Sequence, residues 1–220
     1  MSTTTFQTVH KADGDREKWE EAAKLFSENY GVWGPGSGRE GKRVKLGKQR
    51  LVEQYLPGER STYTSVLVNG KLAGQAFASR WEYDGKTLRE DEDEIFGIMS
   101  SHPAACLAAA NAYSKSIEKI DLPFIKEHAR AVMDASPVEY IREAAPMGTA
   151  FDEDDPSGLV SGADSEFYVD HTEPLKALEA VRQECWPLGD LPDGYEFLLL
   201  LHPRPRRSRS GPARKTPSVA

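Results

Sequence analysis

Two turn signals of two residues each, Asn69-Gly70 and Asp84-Gly85, punctuate the middle of the chain and dictate what it can build there. Both dipeptides accept the positive φ that a type I′ turn demands. Residues 62–68 before the first turn are rich in β-branched side chains, and residues 72–83 return as a long strand. The result is an antiparallel meander, whose strands are neighbours both in sequence and in space. The second turn breaks the pattern. Its returning strand is a stub, Lys86-Thr87-Leu88, followed by Arg89, Glu90, Asp91, Glu92, Asp93 and Glu94. An apolar run at 95–99 then reads as a buried strand. A meander strand of ordinary length is missing between Leu88 and Ile95.

Before the meander, residues 6–9 read as a short first strand. Trp19, Ala22, Ala23, Phe26 and Tyr30 share one helical face, and Gly31 closes that helix. Residues 32–41 form a loop. Residues 42–56 read as a second helix with Leu51, Val52 and Tyr55 inward and a basic patch of Lys42, Arg43, Lys45, Lys48 and Arg50. After the apolar run, Pro103 suits the first turn of a helix, where its missing N–H costs nothing. AACLAAANAYSK supplies the strongest helix former. Residues 123–135 have amphipathic spacing with Ile125, Ala129, Val132 and Met133 inward, and a short helix runs on to Ala145. An acidic loop at 148–162, a strand at 166–169, a helix at 174–184 and a dense apolar strand at 195–201 complete the chain. The expected class is α/β in the α+β sense: a mixed, largely antiparallel sheet flanked by helices. It forms one domain over residues 1–201, and a disordered basic tail follows over 202–220.

The charge is unevenly spread. Of 28 bases, six (Arg204, Arg206, Arg207, Arg209, Arg214 and Lys215) follow His202, which leaves 22 against 35 acids in the body, a balance of −13. Such a body is a poor nucleic-acid surface, which needs clustered cations. The tail PRPRRSRSGPARKTPSVA has little to bury and fits three roles: a solvated end, a nuclear-import signal or an RNA-touching arm. No apolar run approaches a membrane span, so no membrane partner is expected. Cys106 and Cys185 stand far apart, which points to a reducing compartment, cytoplasmic or nuclear.

Several motifs fall short of a chemistry. Gly36 to Lys42 has P-loop spacing, but Arg43 stands where a Mg²⁺-binding hydroxyl is required. Gly158-Leu-Val-Ser161-Gly162 is out of register for a nucleophile elbow. The histidines and cysteines show no metal spacing, so no metal is expected. Pro156 interrupts the acidic run 152–155, and Ala163 replaces the glutamate a calcium loop needs. Asp170-His171-Thr172-Glu173 reads as a cap for the following helix.

The order of elements resembles the GNAT superfamily of acyl-CoA N-acyltransferases. FQTVHKAD resembles their first strand, and Gly70-Lys-Leu-Ala-Gly74 a G-x-h-h-G pattern (h, hydrophobic) of their second and third. HPAACLAAANAYSKS resembles the helix after their fifth strand, with Ala109 and Tyr113 in an A-x-x-x-Y pattern. HPAACLAAANAY, VDHTEPL and WPLGDLPDGYEFLLLL resemble a group of fungal GNAT-like proteins of unassigned function.

The resemblance implies transfer of an acetyl group from acetyl-CoA to an amine, by direct attack on the thioester. It makes Tyr113 the proton donor to the departing thiolate, with a core aromatic as the alternative. Ser101 and His102 would contact pantetheine, and His102 fits a helix-start role equally well. Tyr30 and Trp33 would line the acceptor side, and the acceptor, a small-molecule or peptide amine, stays open. In the superfamily the third strand hairpins into a long fourth. That strand ends in a Q/R-x-x-G-x-G/A loop whose backbone N–H groups and following helix hold the CoA diphosphate. The fourth and fifth strands splay around the pantetheine arm, and a fourth-strand Glu often serves as base. Strand, loop, helix and connection need roughly 25 to 30 residues. Between Leu88 and Ile95 there are six, mostly acidic. The expectation is therefore weak or lost acetyl-CoA binding. Two functions remain: an N-acyltransferase inactive in this truncated form, or a non-catalytic GNAT-like interaction protein.

Overall fold

A computed structural model describes residues 2–14, 16–83, 95–113, 116–182 and 186–202. The second turn signal at 84–85, its stub strand, the acidic run and residues 203–220 of the tail lie outside these. The molecule is mixed α+β, with two antiparallel sheets and six α-helices among the described residues.

The first sheet is the meander. Its strands β1 (Thr4–His10), β2 (Ser61–Val68) and β3 (Lys71–Ser79) lie in the order β1-β2-β3. Asn69 and Gly70 take φ of 51° and 76°, the pair of positive values that a type I′ turn requires. β2 turns Ser61, Tyr63 and Ser65 inward at every second position. Helix α1 (Arg16–Asn29) lays Trp19, Ala22, Ala23 and Phe26 on that face, and Trp19 meets Tyr63 edge-to-face at 5.5 Å. Helix α2 (Lys48–Tyr55) adds Leu51 to this core. It is shorter than the expected 42–56. Residues 42–44 are extended instead, with Arg43 bridging Val32 and the Val44 N–H bonded to the Gly31 carbonyl. β3 ends at Ser79, four residues short of the expected Tyr83.

The second sheet contains β4 (Phe96–Ser100), β5 (Ala145–Met147), β6 (Gly162–Asp164) and β7 (Tyr195–Leu201) in the order β4-β7-β6-β5. β7 is buried along almost its whole length. Helices α3 (Pro103–Tyr113) and α4 (Leu122–Asp134) both pack on it. The alanines of α3 let the helix come close, so Cys106, Ala109 and Ala110 are buried. Asp121 caps α4 by accepting the Phe124 N–H at 3.0 Å. Helix α5 (Glu139–Glu143) follows, and α6 (Thr172–Arg182) is capped by Asp170, whose carboxylate accepts the Thr172 N–H at 2.9 Å.

Two expected elements are corrected here. The short helix does not reach Ala145, because 145–147 pair with 162–164 as β5 and β6. The strand expected at 166–169 falls instead at Gly162–Asp164. Glu166 takes φ of 51°, which ends any extended run, and only Val169 keeps a bridge, to Trp33.

Each sheet has its own core, and they meet along a seam. The Gly34 N–H bonds the Tyr168 carbonyl at 2.8 Å, and the Asp170 N–H bonds the Val32 carbonyl at 2.9 Å. Trp81, just past β3, donates its indole N–H to the Val132 carbonyl of α4 at 2.9 Å. Among the described residues β3 pairs only with β2, and β4 only with β7.

Candidate functional site

The seam gathers aromatic side chains from four directions. Phe26 of α1 stacks on Tyr30 at 4.2 Å and reaches Tyr55, the last residue of α2, at 6.0 Å. Tyr55 in turn meets Tyr140 of α5 at 5.9 Å. Phe167 touches both Tyr30, at 5.5 Å, and Trp33, at 5.4 Å. Tyr30 and Trp33, the two residues expected to line an acceptor, thus share one aromatic neighbour at the mouth of the seam.

Glu196, a carboxylic acid only 8 % exposed, is near enough to this group for its charge to act on Tyr30, Tyr55 and Tyr140. It sits on β7 opposite Ala163 of β6. The β4–β7 register pairs Ser100 with Phe197, so continuing it by one residue sets Ser101 across from Glu196. Strand alternation puts Glu196 on the same face as Leu198 and Leu200. Burial raises its pKa above the ordinary value, and a hydrogen bond from the Ser165 hydroxyl draws it partly back. Among the described residues no arginine or lysine contributes to that balance.

The tyrosines respond to the same enclosure. Burial raises the pKa of Tyr30, with smaller contributions from Tyr55, Glu196 and Tyr140. Tyr55 and Tyr140 are raised by burial first and by the Glu196 charge second. Two fifths of Tyr30 is nonetheless exposed, so the residue opens to solvent while its hydroxyl stands among these groups. Among the described residues, the sealed side-chain atoms without a hydrogen-bond partner are both ring nitrogens of His171 and Nδ1 of His202.

The remaining expected site residues lie at or near α3. His102 caps that helix: its Nδ1 accepts the Ala104 N–H at 3.1 Å, and its carbonyl accepts the Ala105 N–H at 3.0 Å. With Pro103 lacking an N–H, the first three positions of α3 offer no free donor. Ser101 is half-buried at the junction. Tyr113, ten residues along the helix from Pro103, stacks on Phe96 at 4.2 Å and 15°. Cys106 is fully buried, and burial pushes its thiol up to about 12.

Glu196 escapes a reading based on apolar runs because EFLLLL passes for uniform core. The available signal is the phase: an acid two residues ahead of a buried leucine occupies a core-facing position on the strand. The basic patch is partly consumed by the fold, since Lys48 pairs with Glu20 and Arg43 bonds the Glu28 carbonyl at 2.6 Å. Among the described residues no helix is long and apolar enough to cross a membrane, and no cluster of three or more His, Cys, Asp or Glu could hold a metal.

No protein-family model, no curated protein and no solved structure matches this chain.

Proposed function

We propose that the chain is a GNAT-type N-acyltransferase scaffold that keeps its amine-facing half and has lost its grip on acetyl-CoA. In this form it acts as a non-catalytic binding protein. Three features support the scaffold. The two sheets part between β3 and β4, the interval where the resemblance puts a missing fourth strand. Tyr30 and Trp33 share one aromatic rim. Ser101 stands at the end of β4, next to the α3 helix that carries Tyr113.

The observation that carries the loss of donor binding is the short connection between β3 and β4, where the resemblance puts the fourth strand and the loop and helix start whose free backbone N–H groups would hold the diphosphate. The 16 residues from 80 to 95 that join β3 to β4 contain no Q/R-x-x-G-x-G/A sequence, and the acids at 90–94 repel phosphate. The residues present therefore do not fit the donor, and no transfer step is derived through it.

Isothermal titration of the purified chain with acetyl-CoA tests the reading. The expected result is no binding at micromolar concentrations, and a micromolar dissociation constant overturns it. Inserting a strand and a Gly-rich loop of about 25 to 30 residues between Leu88 and Arg89 is expected to restore donor affinity.

A further inference from the structure

The edge of a sheet presents a row of backbone N–H and C=O groups without a ladder partner, and folded chains ordinarily blunt it with charge, proline, a bulge or a short strand. β1 has none of these. It is seven residues long, its ladder to β2 runs from Thr4 to His10 without a register shift, and residues 2–9 contain no proline and no charged side chain. Among the described residues β1 pairs only with β2, so its other edge is free. The phase of that edge follows from the adjoining turn. The Asn69 N–H bonds the Thr3 carbonyl at 2.9 Å, so Thr3, Thr5, Gln7 and Val9 are the residues whose backbone groups point to β2. Thr4, Phe6 and Thr8 therefore point theirs outward. The same three side chains lie on the face away from α1, where the Thr8 and Thr64 hydroxyls bond at 2.8 Å and Phe6 stands opposite Val66. Phe6 is 70 % exposed, the most of any large hydrophobic residue among those described.

We propose that β1 pairs antiparallel with β1 of a second copy of this chain, joining two three-stranded sheets into one of six strands across a two-fold axis at Phe6. Such pairing needs outward-pointing residues to meet outward-pointing residues, and β1 satisfies this with itself. With Phe6 on the axis, it faces Phe6 of the second copy, and Thr4 faces Thr8. Every outward N–H and C=O at these three positions finds a partner, and the two phenyl rings, exposed in one chain, cover each other. No like charges are opposed. That selects a second copy in a chain whose body is strongly acidic, because an uncharged strand is where two such bodies meet with least repulsion. The neighbouring elements leave room: Thr5 and Gln7, on the other face of β1, are exposed as well. A seven-residue strand is about 23 Å long, so the contact falls short of the roughly 1,600 Å² of a standard interface. The dimer is therefore a weak one, in equilibrium with the monomer.

Sedimentation equilibrium of the full chain tests the proposal. The expected result is a reversible monomer–dimer equilibrium with a dissociation constant of about 1–100 µM. A chain that stays monomeric at about 500 µM overturns the proposal, and so do species larger than a dimer, since the two-fold pairing uses up the edge. Phe6→Glu sets two carboxylates against each other on the axis and is expected to weaken the dimer roughly ten-fold or more. Thr4→Pro removes an N–H that the β1–β2 ladder does not use, and is expected to weaken the dimer without adding charge. Both positions are exposed, so far-UV circular dichroism should match the wild type. A dimer that persists unchanged in both variants uses another surface and refutes the pairing. Phe6→Cys locates the axis: at a Cα separation of about 5.5 Å across the two-fold, mild oxidation is expected to give a disulfide-linked dimer beyond that of the unsubstituted chain. Ala78→Cys, exposed on β3 two strands away, is expected to give none. Failure of Phe6→Cys to cross-link, or equal cross-linking at both positions, refutes the register.

Discussion

Trp81 ties the two sheets together in a way that can be measured. It follows β3, so its backbone belongs to the first sheet, yet its ring packs on the second core. Its indole N–H reaches the Val132 carbonyl at 2.9 Å. That carbonyl lies in the last turn of α4, where helix geometry leaves acceptors without an internal donor. Its neighbours are satisfied locally, Ala131 by the Ala135 N–H and Met133 by the Ser136 N–H. Trp81 thus serves as a cap for α4, delivered from across the seam. Trp81→Phe keeps most of the ring and removes the donor, leaving a buried acceptor unpaired, at a cost of about 1–2 kcal/mol. Trp81→Ala also removes a half-buried ring, and the total rises to roughly 2–4 kcal/mol. For a chain of 220 residues, about 1.5 kcal/mol corresponds to a fall in Tm of roughly 3–6 °C. Urea denaturation followed by far-UV circular dichroism gives the two differences directly. A Trp81→Phe protein that unfolds within about 0.3 kcal/mol of the wild type refutes the capping argument. Loss confined to Trp81→Ala would assign the whole effect to ring packing.

Two further predictions follow from the same geometry. The folded state raises the pKa of Glu196 above its ordinary value near 4.5, chiefly through burial, so folding favours the protonated acid. Its contribution is fully present below the unfolded pKa and is lost as pH rises through the folded value. Glu196→Gln is therefore expected to stabilise the chain relative to wild type, by a margin that widens as pH rises from about 4.5; urea midpoints that keep a constant separation across pH exclude the buried-acid assignment. Gly189 has φ of +80° and faces the Gly158 carbonyl, 2.4 Å from where a Cβ would stand, with the Val160 nitrogen at 2.6 Å. Gly189→Ala must strain the backbone and push two chain segments apart, at a cost of about 2–4 kcal/mol, and a change below about 1 kcal/mol in a chemical melt contradicts the close approach.

The elements that were legible in the sequence are those whose signal is local. The Asn69-Gly70 turn demands positive φ at two adjacent residues, and few side chains tolerate that. The spacing of Trp19, Ala22, Ala23 and Phe26 repeats over about two helical turns and points one way. By contrast, residues 42–47 carry helix-tolerant lysines and arginines, yet Val44 is drawn into the first core and its N–H pairs with Gly31, so tertiary contacts override propensity. The strand at 162–164 is three residues long and glycine-rich, and it exists because β7 lies beside it. Tyr30 and Trp33 were placed by the sequence after the first helix, and both rings meet Phe167 there. Glu196 and Tyr140 were not, because their meaning comes from a seam that forms only when the two sheets pack.

In the proposed reading, the seam lets a scaffold lose the donor while the aromatic group persists. In the resemblance the donor lies between two strands that splay, and the acceptor approaches from the side of the first helices. In the proposed reading the donor grip is one continuous stretch of chain, a strand followed by a loop and a helix start, so a single deletion between Leu88 and Ile95 would remove it whole. Tyr30, Tyr55, Tyr140, Phe167 and Glu196 are spread over more than 160 positions, and Tyr55 and Phe167 pack against the first core. No single deletion in the connection touches them, and their rings are part of the packing that joins the sheets. Retaining the aromatic cluster is therefore a condition of folding. Retaining an acid inside it is not, since a leucine or methionine at 196 would bury more comfortably. The charge at 196 is the part of the seam that packing does not require.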